Sequence, residues 1–419
     1  MDRAEIFKHM GKRSLRPAQT VLLSVLVGLG TYQAAEAFHA GWTGDCDGCH
    51  APSSLTGEVT VGLSLTSSEI CLRCHSAAKP VDYQVATNPI PPPGIPPVSL
   101  TPGGDFAYLQ KRYYWTDPEE GSSPGERHGH NIVAPAYGYT ADVSHPFAPG
   151  GSYPAAGLSC ISCHDPHGNY RLVDASGTIV QEGNPIIDSG SYGTPPTATE
   201  AVGTYRMLAG KGYGTKTVGH TFLYDPPIAV APRNYNRPEI YVDTRVVYGK
   251  GTSEWCLNCH EEFASRTQSS SHIHAAGAEL GSAIADTYNY YVKSGDLGGN
   301  QSTAFTSMVP FQSGDMTGVQ QLADLRTSLG GPRPEDKITC LTCHRAHASP
   351  WNGMTRWNTD GSFLLVDSDY PGIDAAGKGG GRNAGGKTRA EYKKAMYDRD
   401  PSKFATFQRS LCNKCHAKD

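Results

Sequence analysis

Apolar positions recur at helical spacing in only a few stretches of this chain. Ala275 to Lys293 carries Leu280, Ile284, Ala285, Tyr288 and Tyr291 along one side of a helical period, which predicts an amphipathic helix. Met316 to Leu329 and Arg389 to Met396 show the same period, and a last helix is expected to run from Ser402 into the C-terminal residues. Strand-forming runs are short and few, at Thr244–Tyr248 and Phe363–Val366. Between these stretches the chain is polar and rich in breakers. The run Pro91-Pro92-Pro93-Gly94-Ile95-Pro96-Pro97, inside Pro80 to Asp105, predicts an extended, polyproline-like wrap. Near the N-terminus, Lys8, Lys12, Arg13 and Arg16 precede the apolar run Val21 to Leu29, and Ala35-Glu36-Ala37 follows it. That order reads as an export signal cleaved before Phe38, since the apolar run is too short to span a bilayer comfortably. No later stretch is long and apolar enough to cross a membrane, so the mature chain is expected to have no transmembrane segment. The chain divides into residues 1–37, a signal peptide, and 38–419, a single elongated domain.

Composition sharpens this picture. Only 38% of the 419 residues are hydrophobic, while Gly supplies 48 and Pro 30. A chain with so little apolar side chain and so many breakers would struggle to bury enough surface alone. Something other than side chains must fill much of the interior.

The cysteines say what. All 12 fall in six copies of C-x-x-C-H: Cys46-Cys49-His50, Cys71-Cys74-His75, Cys160-Cys163-His164, Cys256-Cys259-His260, Cys340-Cys343-His344 and Cys412-Cys415-His416. This is the attachment pattern of c-type haem, in which two thiols bond the macrocycle covalently and the histidine reaches the iron. Zinc sites use paired cysteines but do not require a histidine after every second one. Redox dithiols occur once per domain, and disulfides between cysteines three apart would close tiny loops and stabilise little. The cofactor expected is therefore six covalently attached haems c. The fold class expected is an irregular multihaem cytochrome c, mostly loops with a few short α-helices and minimal β, wrapped around a serial haem stack.

First cysteines are spaced by 25, 89, 96, 84 and 72 residues, so the first two haems are held close by the chain itself. Removing residues 1–37 takes away five of 36 basic and three of 40 acidic groups, leaving a net charge of −6. That balance argues against nucleic acid as a partner.

An electron-transfer haem has two axial ligands, whereas a haem with an open position can bind substrate. Nine histidines lie outside the motifs and the signal segment: His39, His128, His130, His145, His167, His220, His272, His274 and His347. Supply exceeds the six needed. His167 and His347 each stand three residues after a motif histidine, on the same side of a helical turn. Each is placed to ligate the iron of a neighbouring haem rather than its own. Arg127-His128-Gly129-His130 and His272-Ile273-His274 each offer two candidates, of which one is expected to bind, and Ser144-His145-Pro146 offers a further one.

The flanks of these motifs carry a resemblance. Ala37-Phe38-His39, Thr101-Pro102-Gly103-Gly104-Asp105-Phe106, Gly129-His130-Asn131-Ile132-Val133-Ala134 and Ala148-Pro149-Gly150-Gly151 are four such stretches. Ser162-Cys163-His164-Asp165-Pro166-His167-Gly168, Ser253-Glu254-Trp255-Cys256, Cys343-His344-Arg345-Ala346-His347-Ala348-Ser349 and the stretch from Leu411 to Asp419 are four more. Over nearly the whole mature length the chain resembles the OmcS-type hexahaem cytochromes of metal-reducing bacteria, outer-surface proteins that polymerise into conducting filaments. The resemblance implies a serial haem chain, each haem bis-histidine, with parallel and T-shaped contacts alternating. It implies His39, His130, His167, His274 and His347 as distal ligands. One departure stands out: the family's histidine three residues after the first motif, which ligates a haem of the next subunit, is Ser53 here. Ser76-Ala77-Ala78 also lacks the family's histidine near the second motif. Either another histidine takes the role, with His145 and His220 the natural replacements and His145, acting within its own chain, the one preferred, or polymerisation relies on interface packing alone, or the protein is a monomeric carrier.

Two function classes remain. A conduit would carry electrons through six bis-histidine haems in a homopolymer or as a monomeric carrier, from other multihaem cytochromes to extracellular acceptors such as metal oxides. A multihaem reductase of nitrogen or sulfur oxyanions would reserve one haem with an open site, sometimes with lysine in place of the motif histidine. All six motifs here end in histidine, which favours the conduit over an enzyme. The implied route is export through the periplasm to the outer cell surface.

Overall fold

The computed structural model describes residues 65–417 except 82, 117–118, 167–170, 174–178, 182–201, 204, 216–217, 231, 233–243, 265–273, 275, 318 and 376–379. Residues 1–37, read above as a signal peptide, the first motif, His39, Ser53, His167 and His272 lie outside the described residues.

Most of the described chain is loop. Helices are short: Ser67–His75, Thr252–Cys256, Gly281–Tyr290, Val319–Leu325, Cys340–Cys343, Arg389–Ala395 and Asn413–His416. Strands of two or three residues pair locally: Ser76–Ala77 runs parallel to Ala86–Thr87, and Tyr113–Trp115 antiparallel to Gly121–Ser123. Ala229–Val230 pairs antiparallel with Val247–Tyr248, and Arg171–Val173 lies between Ile179–Gln181 and Val202–Gly203.

Local chemistry sets the helix starts. At Ser67–His75, Thr66 Oγ1 accepts from Glu69 N at 3.2 Å, and the Glu69 carboxylate takes the Thr66 N–H at 2.6 Å. This reciprocal cap satisfies two of the N–H groups that a helix start leaves open. Thr388 and Glu391 repeat it before Arg389–Ala395. The periodic stretch from Ala275 is helical only from Gly281 to Tyr290. The residues before it pair with another strand of chain instead, Gly277 N–H to Ile338 O at 2.6 Å and Leu280 N–H to Asp336 O at 2.9 Å. Met316 to Leu329 contracts to Val319–Leu325, and Thr244–Tyr248 to Val247–Tyr248.

Two expected elements do not form. The helix expected from Ser402 into the last motif is a single 3₁₀ turn at Pro401–Lys403, then irregular chain with turns at 406–407 and 411–412 up to Asn413–His416. The backbone there bonds across to residues 362–364, with Leu364 N–H on Gln408 O at 2.7 Å. Phe363–Val366 is correspondingly no ladder strand. Its neighbours Leu364 and Leu365 are both fully buried, which a strand with one solvent face does not allow.

Side chains build more interior than composition suggested. Leu280, Ala285, Tyr288, Met308, Val309 and Phe311 pack with Trp351, Trp357, Leu364, Leu365, Tyr370 and Tyr392 into one buried cluster. A second gathers Leu72, Ala86, Phe106, Tyr108, Ile132, Ala134, Tyr139 and Ala348. These residues show no long-range period because loops, not helices, bring them together. Each large side chain so buried contributes roughly 1.5–3 kcal/mol.

Candidate haem sites

Every described motif is folded as one turn. The histidine N–H bonds the carbonyl of the first cysteine in His164–Cys160 (2.9 Å), His260–Cys256 (3.1 Å), His344–Cys340 (3.0 Å) and His416–Cys412 (3.1 Å). Positions i, i+3 and i+4 share one side of such a turn, so two thiols and an imidazole converge. Small hydroxyl residues brace the tightest turns: Thr339 N–H donates to Thr342 Oγ1 at 3.0 Å and Ser159 N–H to Ser162 Oγ at 2.9 Å.

The imidazoles are oriented through their Nδ1 atoms, each on a backbone carbonyl: His75 on Tyr83 (2.7 Å), His164 on Arg206 (2.8 Å), His260 on Pro149 (2.7 Å) and His344 on Gly353 (2.7 Å). An Nδ1–H that donates to a carbonyl fixes the tautomer and leaves Nε2 as the metal-binding nitrogen. Burial and neighbouring positive charge lower the pKa of His164 and His344, keeping them neutral, as a ligand must be.

Three motif histidines face a second imidazole. The ring centres of His164 and His347 lie 6.4 Å apart, those of His260 and His130 6.2 Å, and those of His416 and His274 5.9 Å. A metal–nitrogen bond of about 2.0 Å and about 1.1 Å from nitrogen to ring centre put two axial imidazoles of one iron about 6.2 Å apart. The separations fit one iron between each pair, so these residues suit bis-histidine haem.

Within the 127–130 stretch the structure separates the two candidates. His128 has both nitrogens engaged, Nε2 with Ser123 Oγ at 2.7 Å and Nδ1 with Tyr108 O at 2.8 Å, and it is fully buried. His130 donates only Nδ1, to Ala346 O at 2.7 Å, and faces His260. His220 Nε2 is bonded to Asn258 O, inside the fourth motif, and its ring packs on Tyr153. His145 stands on the surface, and among the described residues its ring meets no motif histidine; its partner is Asp142, 2.9 Å from Nδ1.

Two distal candidates share one scaffold. Residues 347–349 bridge to both 103–104 and 128–130: His347 N–H bonds Gly103 O at 2.7 Å, and His130 N–H bonds His347 O at 3.0 Å. The approach is close enough to require glycine. A Cβ on Gly103 would stand 2.8 Å from His347 Nδ1, and one on Gly129 would stand 2.2 Å from His347 O. Phe106 stacks on the His347 ring at 4.6 Å. Burial first, then the neighbouring imidazole, pulls His347 down to about 3 and His130 to about 4. Sequence reasoning assigned no role to Gly103, Gly129 or Phe106, although all three lie in the flanks that carried the resemblance.

The motifs sit in chain order. The side chains of Cys71 and Cys160 lie side by side, as do those of Cys256 and Cys340. Cys163 lies close enough to Cys259 for their charges to interact, and Cys343 to Cys412 and Cys415. The second to sixth motifs thus form a continuous series. None of the ten described cysteines is in a disulfide. Among the described residues no three His, Cys, Asp or Glu side chains converge as a metal ion held by protein alone would require.

No family model matches the chain. It is 42% identical to the C-type cytochrome OmcS of Geobacter sulfurreducens, over 97% of this chain and 100% of that protein. Its fold superposes on the Outer Membrane Cytochrome S filament of the same organism with a TM-score of 0.81 at 41% identity, covering 91% of this chain and 100% of the other. A cryo-EM structure of OmcS nanowires gives 0.80 at 42%, with the same coverage. Identity at this level over both full lengths, with the motif geometry above, places this chain in the OmcS family of c-type cytochromes.

Proposed function

We propose that this chain conducts electrons outside the cell through six covalently attached haems c, each with two axial histidines, as a subunit of a homopolymeric filament. The observation that carries this reading is the set of three imidazole pairs at 5.9–6.4 Å, each pairing a motif histidine with a distant one. The relatives named as a nanowire and a filament support the polymeric part.

The third haem would be held by Cys160, Cys163, His164 and His347, the fourth by Cys256, Cys259, His260 and His130, and the sixth by Cys412, Cys415, His416 and His274. Bound there, haem supplies a one-electron ferric–ferrous couple with no position left for substrate. The protein's part is to hold that couple still. Nδ1 hydrogen bonds orient His130, His164 and His260, close glycine contacts hold the segments of His130 and His347, and Phe106 packs on the His347 ring. Packing of neighbouring motifs, Cys71 beside Cys160 and Cys256 beside Cys340, would keep successive centres adjacent, as hopping requires. For the first, second and fifth haems, His39 and His167 are the distal candidates taken from the resemblance, and His145 is the further candidate read from the sequence.

Electrons would arrive from other multihaem cytochromes and leave to external acceptors such as metal oxides. The basic-apolar-small order of residues 1–37 supports export through the periplasm, and among the described residues no helix is long and apolar enough to cross a membrane. Electron paramagnetic resonance of the oxidised filament tests the reading. Low-spin signals alone are expected, and one full high-spin equivalent in intact filaments would replace the conduit with an open-site enzyme.

A further inference from the structure

The fourth and fifth motifs are neighbours, with Cys256 beside Cys340, yet charges of opposite sign surround them. Residues 252–264, around the fourth motif, hold Glu254, Glu261 and Glu262 and no lysine or arginine. Residues 337–357, around the fifth, hold Lys337, Arg345 and Arg356 and no carboxylate. Lys337 is set against Asp315 at 2.6 Å, which leaves the two arginines as the charges of interest.

Arg356 is 3% exposed and built into the fifth motif itself. Its backbone N–H donates to Cys343 O at 2.8 Å and its Nε–H to Leu341 O at 2.7 Å, and Thr355 beside it bridges to His344. The guanidinium is thus tied to the turn that carries Cys340, Cys343 and His344. Burial first, and then this guanidinium, lower the pKa of His344, so the charge reaches the ligand. Arg345 follows His344 directly and is 2% exposed, with its guanidinium 3.6 Å from the centre of the Tyr397 ring and Nη1 donating to Pro102 O at 3.2 Å. Arginine stays protonated throughout the working pH range, so both are permanent positive charges. At the fourth motif, Glu261 lies close enough to Cys259 for their charges to interact, and its carboxylate accepts from Ser152 N at 2.9 Å and Ser152 Oγ at 2.6 Å. Glu254 stands at the junction and bears on Cys340 as well, so it does not discriminate between the two motifs.

A ferric haem carries one more positive charge than a ferrous one. A fixed cation beside it favours the ferrous form and raises the potential, and a carboxylate lowers it. Buried charges act through a low dielectric, whereas exposed ones such as Glu261 are partly screened. We propose that Arg356, assisted by Arg345, sets the reduction potential of the fifth haem above that of the fourth, so that an electron on the fourth passes downhill to the fifth. The step is a one-electron exchange: the ferrous iron of the fourth becomes ferric as the ferric iron of the fifth becomes ferrous, with no bond made or broken and no proton moved. The proposal rests on the bis-histidine reading of the haems. It gives this junction a direction that identical motif histidines do not supply.

The test is a spectroelectrochemical titration of the mature holoprotein, resolved into one-electron components, with covalent haem content by intact mass and spin state by electron paramagnetic resonance. Arg356→Met should lower one component of the six more than any other, and Arg356→Lys, which keeps the charge, should restore most of that shift. Glu261→Gln should raise a different component. In the wild type, the component that answers to Arg356 should lie above the one that answers to Glu261. The reverse order, a single component answering to both, or a titration that Arg356→Met leaves unchanged overturns the proposal. Equal shifts in Arg356→Met and Arg356→Lys would also overturn it, since the arginine would then act through structure and not charge. If neither Arg356 variant folds, Glu261→Gln on the surface still decides: the proposal fails if the component it raises is the highest in the wild type. A missing haem or one full high-spin iron in the wild type would instead sink the bis-histidine reading.

Discussion

At Gly103 the backbone touches the edge of an imidazole, and a single methyl group would stand 2.8 Å from His347 Nδ1. Gly103→Val should therefore push His347 off its axis and open the third-motif iron. Near-infrared magnetic circular dichroism would read this as loss of one bis-histidine band, and an unchanged spectrum would remove His347 from the ligand set. The two histidines of 127–130 divide differently. His128→Ala leaves Ser123 Oγ and Tyr108 O buried without their partner, at a cost of about 1–3 kcal/mol, with every iron still low-spin. His130→Ala should convert one haem to high spin. Denaturant melts and spin state measured on both variants separate the roles, and the assignment fails if their effects are exchanged. The motif residues were legible in the sequence because C-x-x-C-H has one dominant chemical reading. Spacing alone left His128 and His130 open, because two residues of one type in one tetrapeptide differ only in what the fold places against them, and the preference for His130 came from the resemblance. His145 was legible as a candidate but not as an exposed one, since nothing local records which surface a loop faces.

At the scale of elements, short helices depend on their ends and on charges buried beneath them. Thr388→Ala removes one cap from Arg389–Ala395 and should cost about 1 kcal/mol. Lys111→Met should cost more. Lys111 Nζ lies 2.9 Å from Glu391, with both side chains almost wholly buried, and removing one partner of such a pair costs about 3–5 kcal/mol. Lys387 sits nearby between the rings of Tyr113 at 4.0 Å and Trp351 at 4.1 Å, so the region has little tolerance for an unpaired charge. Thermal melts of the two variants should rank them in that order, and equal midpoints would mean the buried ion pair stabilises nothing. Helices in this chain were legible where period and cap coincide, as at Arg389–Ala395. They were overestimated where period stood alone, because the flanks of Gly281–Tyr290 bond to residues 336–338 and the stretch after Pro401–Lys403 bonds to residues 362–364. Those partners are distant in sequence and leave no local trace.

For the whole molecule, the serial contacts from the second motif to the sixth make the motifs follow one another in space in chain order. Intervals of 72–96 residues alone allow many arrangements, so the serial order was expected from the resemblance, and in the fold it is set by turns packed against one another. Aromatic clusters such as Trp351, Tyr370 and Tyr392 escaped the sequence for a related reason: they converge through loops. Six motifs predict an intact mass exceeding the peptide from Phe38 onwards by six haems, and a mass with five or fewer in mature holoprotein would break that stoichiometry. The central claim is that widely separated histidines clamp successive irons into one conducting series. A cryo-EM reconstruction of the secreted protein at side-chain resolution tests it most directly. The account predicts a filament in which single irons lie between His164 and His347, His260 and His130, and His416 and His274. An iron in any of these motifs with another second ligand, or with none, would contradict it.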